Sequence, residues 1–529
     1  MAVGAQLQSI VPTELEQRIF GRLLDVVHHQ GLGTQLRVAG GWVRDKLLGK
    51  DSADIDIALD NMTGKEFCEK ITEYHEKVIG REQKKPVIIP CNPSQSKHLE
   101  TARIRLSDIS DISIDFVNLR SEKYAESSRI PTVEDGTPEE DAFRRDLTIN
   151  SLFYNINTKS VEDLTGRGLE DLKKGLIVTP LPAKFTFLDD PLRVLRAIRF
   201  AARFSFTLAE NLKEAASDEK VKLNLGSKIS RERIGQEVDH MMSDKYPVDA
   251  MCHICDLGLF YVVFAFPEKT VPPVLDKHDW LCVSHIEAAW NLVQSIGCSV
   301  FRGGSGSMSQ DEQRRLCMYS ALFTPVRNML YTEKSKKELV VRYIIRNSLK
   351  FEGSRSDAET IVQIHAASDK FADLINFLES NGNLETVKEN PNDEYLEIPT
   401  DMVARVLAGL PLLGIKYLWR LALLISTLSY PEVGSANGSF SQQDELNRRK
   451  EIYIRVERLI TNLDLEGVWK KIKPLLDGNH IMGVLDIGKG PLIKEWKERL
   501  VKWQLAHPKG TAEECREWMK QSKCLKKEM

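Results

Sequence analysis

Residues 36–59 read LRVAGGWVRDKLLGKDSADIDIAL, and this stretch restricts the fold more than any other. A short apolar run, a Gly40-Gly41 turn and one or two helical turns lead into a segment that alternates charged and apolar residues at period two. On such a strand Asp54 and Asp56 project from one face while Ile55 and Ile57 enter the core. ISIDFVNL repeats the alternation around Asp115. Ahead of these strands, Thr13 and Glu16 form a capping-box pattern, and Leu15, Ile19, Leu23 and Val26 recur at helical spacing up to Gly31. The pattern predicts an α+β domain, a small mixed sheet with helices, ending near residue 155. From about residue 185 the strand signals fade, and helical periodicity, beginning with DDPLRVLRAIRFAARF, predicts that the remainder is all-helical.

A chain of 529 residues exceeds what one hydrophobic core organises, so several domains are expected. With 73 basic against 76 acidic residues, any nucleic-acid surface must be a local patch. The nine cysteines are odd in number and scattered, which points to reduced thiols in an intracellular compartment. Cys252 and Cys255 form a C-x-x-C without a second pair at zinc-site spacing, and DAMCHICDLGLF reads as a helix packing them in the core. No apolar run approaches the roughly 18 residues of a membrane span. Glu14 and Glu16 precede the first arginine, Arg18, unlike an acid-poor transit peptide. Cytoplasm and nucleus are therefore expected, and a mitochondrial isoform from an upstream start would not be visible here. FRGGSGSMSQ (301–310) and GSANGSFSQQDE (434–445) read as exposed loops or linkers.

Two carboxylates side by side repel, and a chain that accepts them usually seats a cation there; hard oxygen ligands in an open site suit Mg²⁺. Asp115, on a neighbouring strand, can supply a third carboxylate. Such a group supports a two-metal displacement, one ion acidifying an attacking hydroxyl and the other clamping a triphosphate. The competing reading is that D-x-D is merely the solvent face of an edge strand. Against it stands the Gly40-Gly41 turn, which opens a helix whose free N–H groups can hold phosphate oxygens at the same end of the sheet. Asp45, beside Arg44, reads as a structural partner and not as a ligand.

Beyond these residues the chain carries an ordered set of motifs: GGWVRDKLLG…DIDIAL, IDFVNLRSEKY, RRDLTINSLFYN (144–155), DLTGRGLEDLKKG (163–175), LDDPLRVLRAIRFAARF (188–204) and ISRERIGQE (229–237). This series resembles the class II CCA-adding enzymes, the tRNA nucleotidyltransferases. VNLRSEKY and SRIP resemble the eukaryotic branch, and LLDGNHIMGVLDIGKGPLIKEWKERLVKWQLAHP resembles the family's tail. The resemblance implies Asp54 and Asp56 as metal ligands, with Asp115 helping to activate the tRNA 3′ hydroxyl. It implies nucleotide contacts from Gly40, Gly41, Arg44, Arg145, Asp146, Asn150, Asp190, Arg193 and Arg196. Arg145 and Asp146 match the R-R-D motif for triphosphate and ribose, with Asn150 one turn on. Asp190 and Arg193, three apart at a helix start, match the pair that reads the Watson–Crick edges of CTP and ATP. An Asp accepts from the exocyclic amine that C and A share, and an Arg donates to a ring nitrogen or carbonyl. Asp189 stands where many members have Glu. Of the further arginines, Arg199 and Arg203 either buttress phosphates or pair with Glu232 or Glu237. ISRERIGQE reads as structural support.

The resemblance further implies a nucleotidyltransferase head (1–155), a helical base-recognising neck (156–245), and a helical body (246–430) and tail (446–529) that bind tRNA by shape and phosphate contacts. ESSRIPTVEDGTPEED (126–141) resembles the family's flexible loop for switching from C to A addition. Ten basic residues against six acidic ones after residue 493 are consistent with an RNA-facing tail. KHDW (277–280) resembles half of a phosphohydrolase motif, and His278 and Asp279 read as incidental. The implied activity is CCA addition to tRNA from CTP and ATP with Mg²⁺. A poly(A) polymerase, a CC- or A-adding partial enzyme and a non-catalytic tRNA-binding protein are the alternatives.

Overall fold

The computed structural model describes residues 9–52, 54–90, 100–109, 112–124, 130–275, 277–301, 308–351, 354–380, 402–428 and 441–528. The chain divides into two compact units, residues 1–265 with 348–350, and residues 266–347 with 351–529.

The first unit opens with α1 (Glu14–His29), which starts at the expected capping box: Thr13 Oγ1 accepts from the Glu16 amide, and the Glu16 carboxylate accepts from the Thr13 amide. A seven-stranded mixed sheet follows, built from β1 (Leu36–Ala39), β2 (Ile55–Leu59), β3 (Val87–Ile89), β4 (Thr101–Arg105) and β5 (Ser113–Asn118). The hairpin β6 (Arg120–Lys123) and β7 (Thr132–Asp135) then precedes its last strands, β8 (Phe153–Asn155) and β9 (Ser160–Glu162). The order across the sheet is β3-β4-β5-β2-β1-β8-β9, so it runs on past residue 155 to Glu162. Every pair in it is antiparallel except β2 with β5. As the alternation predicts, Ile55 and Ile57 are buried and Asp56 faces outward.

Helices α2 (Gly41–Leu47), α3 (Gly64–Tyr74) and α4 (Pro138–Phe143) lie between the strands. The helical part of the unit follows as α5 (Gly168–Lys174), α6 (Ala183–Asp189), α7 (Leu192–Phe204), α8 (Glu210–Ala216), α9 (Glu219–Lys228) and α10 (Arg231–Ser243). The C-x-x-C lies in helix Pro247–Asp256 with Cys255 in the core.

The 126–141 segment differs from the expected loop. Its described residues form β7 and the start of α4, and β7 pairs along the whole of β6, from Arg120 opposite Asp135 to Lys123 opposite Thr132. Gly136 makes the return possible, since a Cβ there would stand 2.5 Å from the Arg120 carbonyl carbon. Residues 126–129 lie outside the described residues.

The second unit is mainly helical, with long helices at His278–Ile296, Ser354–Glu379 and Gln442–Asn462. It also carries a three-stranded sheet of Thr270–Val271, Leu330–Glu333 and Lys336–Leu339, which helical periodicity did not reveal. His278 and Asp279 open the first of these helices. The expectation that no run approaches membrane-spanning length needs correction. Val403–Leu428 is long and apolar enough by length and composition, with a mean hydropathy of 1.5, but 72% of its span is buried inside the fold. It is also broken at Lys416, whose φ is 55°. Near the chain end, Trp496, Leu500 and Trp503 pack with Cys515 and Met519 in a core of their own. Of the two expected linkers, 302–307 and 434–440 lie outside the described residues, and Ser441 caps the helix after the second.

Glu16 ties α1 to α2, because its carboxylate also accepts from the Trp42 indole at 2.8 Å and meets Lys46 Nζ at 3.0 Å. Glu16→Ala removes a cap and two buried polar contacts, and is expected to lower the stability of the first unit by about 2 kcal/mol. Faster amide hydrogen exchange in α1 and α2 is the readout, and parent-like exchange would refute it.

Candidate active site

The parallel register of β2 and β5 sets Asp56 directly opposite Asp115, and Asp54 lies on the same side just before β2 begins. Crowding by surrounding protein pushes the Asp56 carboxyl above its ordinary value, the Asp115 and Asp54 charges add to this, and Arg145 opposes it. The three acids therefore converge, but they are not equivalent. Asp115 is gripped by Arg103 from the paired position on β4, Nε at 2.6 Å and Nη2 at 2.7 Å. Asp54 and Asp56 open instead into a cavity of about 780 Å³.

Among the described residues no group of three or more His, Cys, Asp or Glu is placed to hold a metal ion. The donor set still fits Mg²⁺, which binds through one or two carboxylates and takes its other oxygens from water and substrate phosphates. Burial and the neighbouring Asp115 and Asp54 charges together disfavour ionised Asp56 despite Arg145, and a cation would offset this.

The same cavity is walled by the glycine turn and the R-R-D segment. Gly40 has φ 68°, and a Cβ there would stand 3.0 Å from Arg145 Nη1, so only glycine leaves room for the guanidinium. Arg145 is held by Asp141 through Nε at 3.0 Å and Nη2 at 2.8 Å. Arg44 is buried, donates to Asn150 Oδ1 at 2.5 Å, pairs with Asp45 at 2.8 Å and lies over the rings of Phe200 and Phe204. Asp45 is thus the structural partner expected. Asn150 ends a 3₁₀ turn, Thr148–Asn150, rather than sitting in an α-helix. Asp146 accepts from Arg196 Nε at 2.7 Å, from Asn150 Nδ2 at 3.2 Å and from the Leu147 amide at 2.9 Å. Burial opposes its ionisation, but Arg196, Asn150 and Arg193 outweigh burial and hold the carboxyl at about 2.

Asp190 and Arg193 also line this cavity. α6 ends at Asp189, Pro191 precedes the first residue of α7, and Asp190 Oδ1 accepts from the Leu192 amide at 3.2 Å. Asp190 Oδ2 meets Arg233 of α10 at 3.4 Å. Arg193 Nη2 donates to the Arg144 carbonyl at 2.7 Å. Farther along α7, Arg199 pairs with Glu237 at 2.7 Å and Arg203 with Asp244 at 3.8 Å. Of the two expected partners only Glu237 takes this role, since Glu232 meets Lys350.

All the nucleotide-contact residues named from the sequence line this one cavity, and Asp115 borders Asp56 from outside it. Sequence reasoning missed Glu122, Tyr124, Arg233 and Gln236, which also line it. Arg233, Gln236 and Glu237 share one face of α10 at i, i+3, i+4, a spacing visible in SRERIGQE.

The Poly A polymerase head domain family matches residues 36–178. The CCA tRNA nucleotidyltransferase, mitochondrial, of Saccharomyces cerevisiae is 34% identical over 96% of this chain and 92% of its own length. The chain belongs to the CCA tRNA nucleotidyltransferase family. Two solved structures share the fold: a CCA-adding enzyme in complex with CTP (TM-score 0.58, 20% identity, 99% of each chain), and the Thermotoga maritima CCA-adding enzyme complexed with tRNA (TM-score 0.55, 20% identity, 97% of this chain and 96% of that one). In this nucleotidyltransferase the cavity lined by Asp54 and Asp56 is the candidate active site.

A carboxyl whose folded pKa is depressed contributes stability that is present above its unfolded value and lost as pH falls toward the folded one. For Asp146 the window runs from about pH 4 down to about pH 2. Asp146→Asn is expected to lower the urea midpoint of the first unit at neutral pH and to flatten its fall across that window. An unchanged acid profile would show that the Arg196 pair contributes nothing.

Proposed function

We propose that this chain adds CCA to the 3′ end of tRNA from CTP and ATP, without a nucleic-acid template. The observation that carries the reading is a single cavity lined by Asp54 and Asp56 together with Asp190 and Arg193. A nucleotide bound there would meet phosphate-binding and base-reading groups at once. Asp190 accepts from the exocyclic amine of C or A, and Arg193 donates to the ring edge. U and G present the wrong pattern, and a mismatch that strands a buried partner costs about 1–3 kcal/mol.

Asp54 and Asp56 would hold Mg²⁺, which supplies charge stabilisation to the triphosphate and acidity to the attacking hydroxyl in two-metal transfer. Gly40, Gly41, Arg44, Arg145 and Arg196 line the phosphate and ribose side, where Asp146 and Asn150 fix the guanidinium orientations. Asp115 stands beside Asp56 as the carboxylate toward the tRNA 3′ hydroxyl. The division into head (1–155), neck (156–245), body (246–430) and tail (446–529) belongs to this reading, with body and tail binding tRNA by shape. The CTP-bound and tRNA-bound structures of the similar enzymes support the substrate assignment. The mitochondrial designation of the yeast relative supports a mitochondrial form beside the cytoplasmic and nuclear one.

A poly(A) polymerase is the second reading, because the matched head-domain family carries that description. Incubating a tRNA lacking its end with all four NTPs and sequencing the product separates them. CCA is the expected product; a long A tract, CC or a single A each replaces the assignment with the corresponding alternative. Asp54→Ala with Asp56→Ala is expected to abolish incorporation and leave tRNA affinity nearly intact, and retained turnover would refute the metal assignment. Asp190→Ala or Arg193→Ala is expected to relax discrimination against UTP and GTP by about tenfold in single-turnover competition.

A further inference from the structure

We propose that Glu122 is the positioning residue of the base-reading site, fixing the Arg193 guanidinium by joining it to the β6–β7 hairpin. The inference rests on the reading of Arg193 as the group that meets the base.

Glu122 keeps 3% of its side-chain exposure and is the carboxylate at the centre of an arginine cluster. Arg120 Nη2 lies at 2.9 Å, Arg144 Nη1 at 3.2 Å and Arg193 Nη2 at 3.8 Å. A lone buried carboxylate would shed its charge. Burial pushes Glu122 in that direction, but the guanidiniums and a hydrogen bond from Tyr124 overcome it and keep the carboxyl below its ordinary value.

Tyr124 makes the link directional. Its hydroxyl donates to Glu122 Oε2 at 2.8 Å and accepts from Arg193 Nη2 at 3.4 Å, while its ring lies 5.9 Å from the Arg193 guanidinium carbon. Glu122 therefore sets the direction of the tyrosine O–H and leaves the oxygen lone pairs toward Arg193. The second anchor of Arg193 is the backbone carbonyl of Arg144, whose own side chain is held between Glu122, Asp141 and the Arg120 carbonyl. Both anchors lead back to the same carboxylate. Arg193 Nη2 meets all three of these groups, the Tyr124 hydroxyl, the Arg144 carbonyl and Glu122, and Arg193 lines the cavity. A guanidinium held at one nitrogen is restrained in direction, which a reader of base edges requires.

A purely structural carboxylate would show a different dependence. Losing it would lower stability and slow incorporation of every nucleotide alike, whereas losing the orientation of Arg193 would raise KM for CTP and ATP and weaken their preference over UTP and GTP. The test compares the full-length parent with Arg193→Ala, Glu122→Gln and Tyr124→Phe. Each is assayed by single-turnover competition of CTP with UTP on tRNA lacking CCA, and of ATP with GTP on tRNA ending in CC, alongside thermal unfolding. Glu122→Gln keeps size and one acceptor and removes the charge, and is expected to reduce both discrimination ratios by about tenfold. Tyr124→Phe keeps the ring and is expected to reduce them by about threefold. If Arg193→Ala relaxes discrimination while Glu122→Gln slows all four nucleotides equally, the inference is overturned and the reading of Arg193 stands. If Arg193→Ala itself leaves discrimination unchanged, the base-reading assignment fails and takes the inference with it. Should Glu122→Gln not fold, Tyr124→Phe decides: parent-like ratios overturn the inference.

Discussion

The parallel pairing of β2 with β5 is the constraint on which the rest of this site depends. It sets Asp56 against Asp115 on two neighbouring interior strands of the sheet, with Asp54 close by, and so concentrates negative charge where backbone hydrogen bonds allow no retreat. Side chains alternate at period two, so a one-residue slip would send Asp56 into the core and Ile57 into water. The burial of Ile55 and Ile57 forbids that slip. The apolar face of the strand thus fixes the position of the acids.

The acidic charge on these strands is answered by a set of arginines. Arg103 takes Asp115, Arg145 faces Asp56, and Arg44, Arg193, Arg196 and Arg199 line the same cavity as Asp54 and Asp56. Each of these cations except Arg103 is itself restrained by a neighbouring acid or carbonyl: Asp141 for Arg145, Asp45 and the Asn150 amide oxygen for Arg44, Asp146 for Arg196, Glu237 for Arg199 and the Arg144 carbonyl for Arg193. Such buried ion pairs add little over apolar residues of the same volume, because desolvation offsets most of the Coulomb gain, although removing one partner alone is destabilising. Their effect here is directional, since a planar guanidinium held at one edge presents its remaining donors along a fixed line.

The sequence made much of this legible, and the reasons for the remainder are local. Thr13 and Glu16 announced α1, and the alternation around Asp54 and Asp56 announced β2, because each pattern satisfies backbone groups or buries a face in only one way. The β6–β7 hairpin stayed hidden because RSEK and TVED pair through mostly polar side chains, and Pro131 and Gly136 read as breaks. Its concealment also hid Glu122 and Tyr124. Arg233 was passed over because a helix face of arginine and glutamate resembles any solvated face until α7 is packed against it. Val403–Leu428 escaped notice as a single apolar run, yet its apolar residues are continuous enough to pass for a membrane span. Burial within the second unit gives those residues their partners.

Arg103 shows why three converging carboxylates are not automatically three metal ligands. Its bidentate grip satisfies both oxygens of Asp115, so that carboxylate is neutralised from the adjacent strand and not from the cavity. Asp54 and Asp56 alone face the space where a nucleotide would lie. Mg²⁺ needs no more from the protein than this when triphosphate oxygens and water complete its shell. Under the proposed function, a site that borrowed most of its ligands from the substrate would hold the cation fully only with the nucleotide present, whereas the arginines beside it are already held by their own partners.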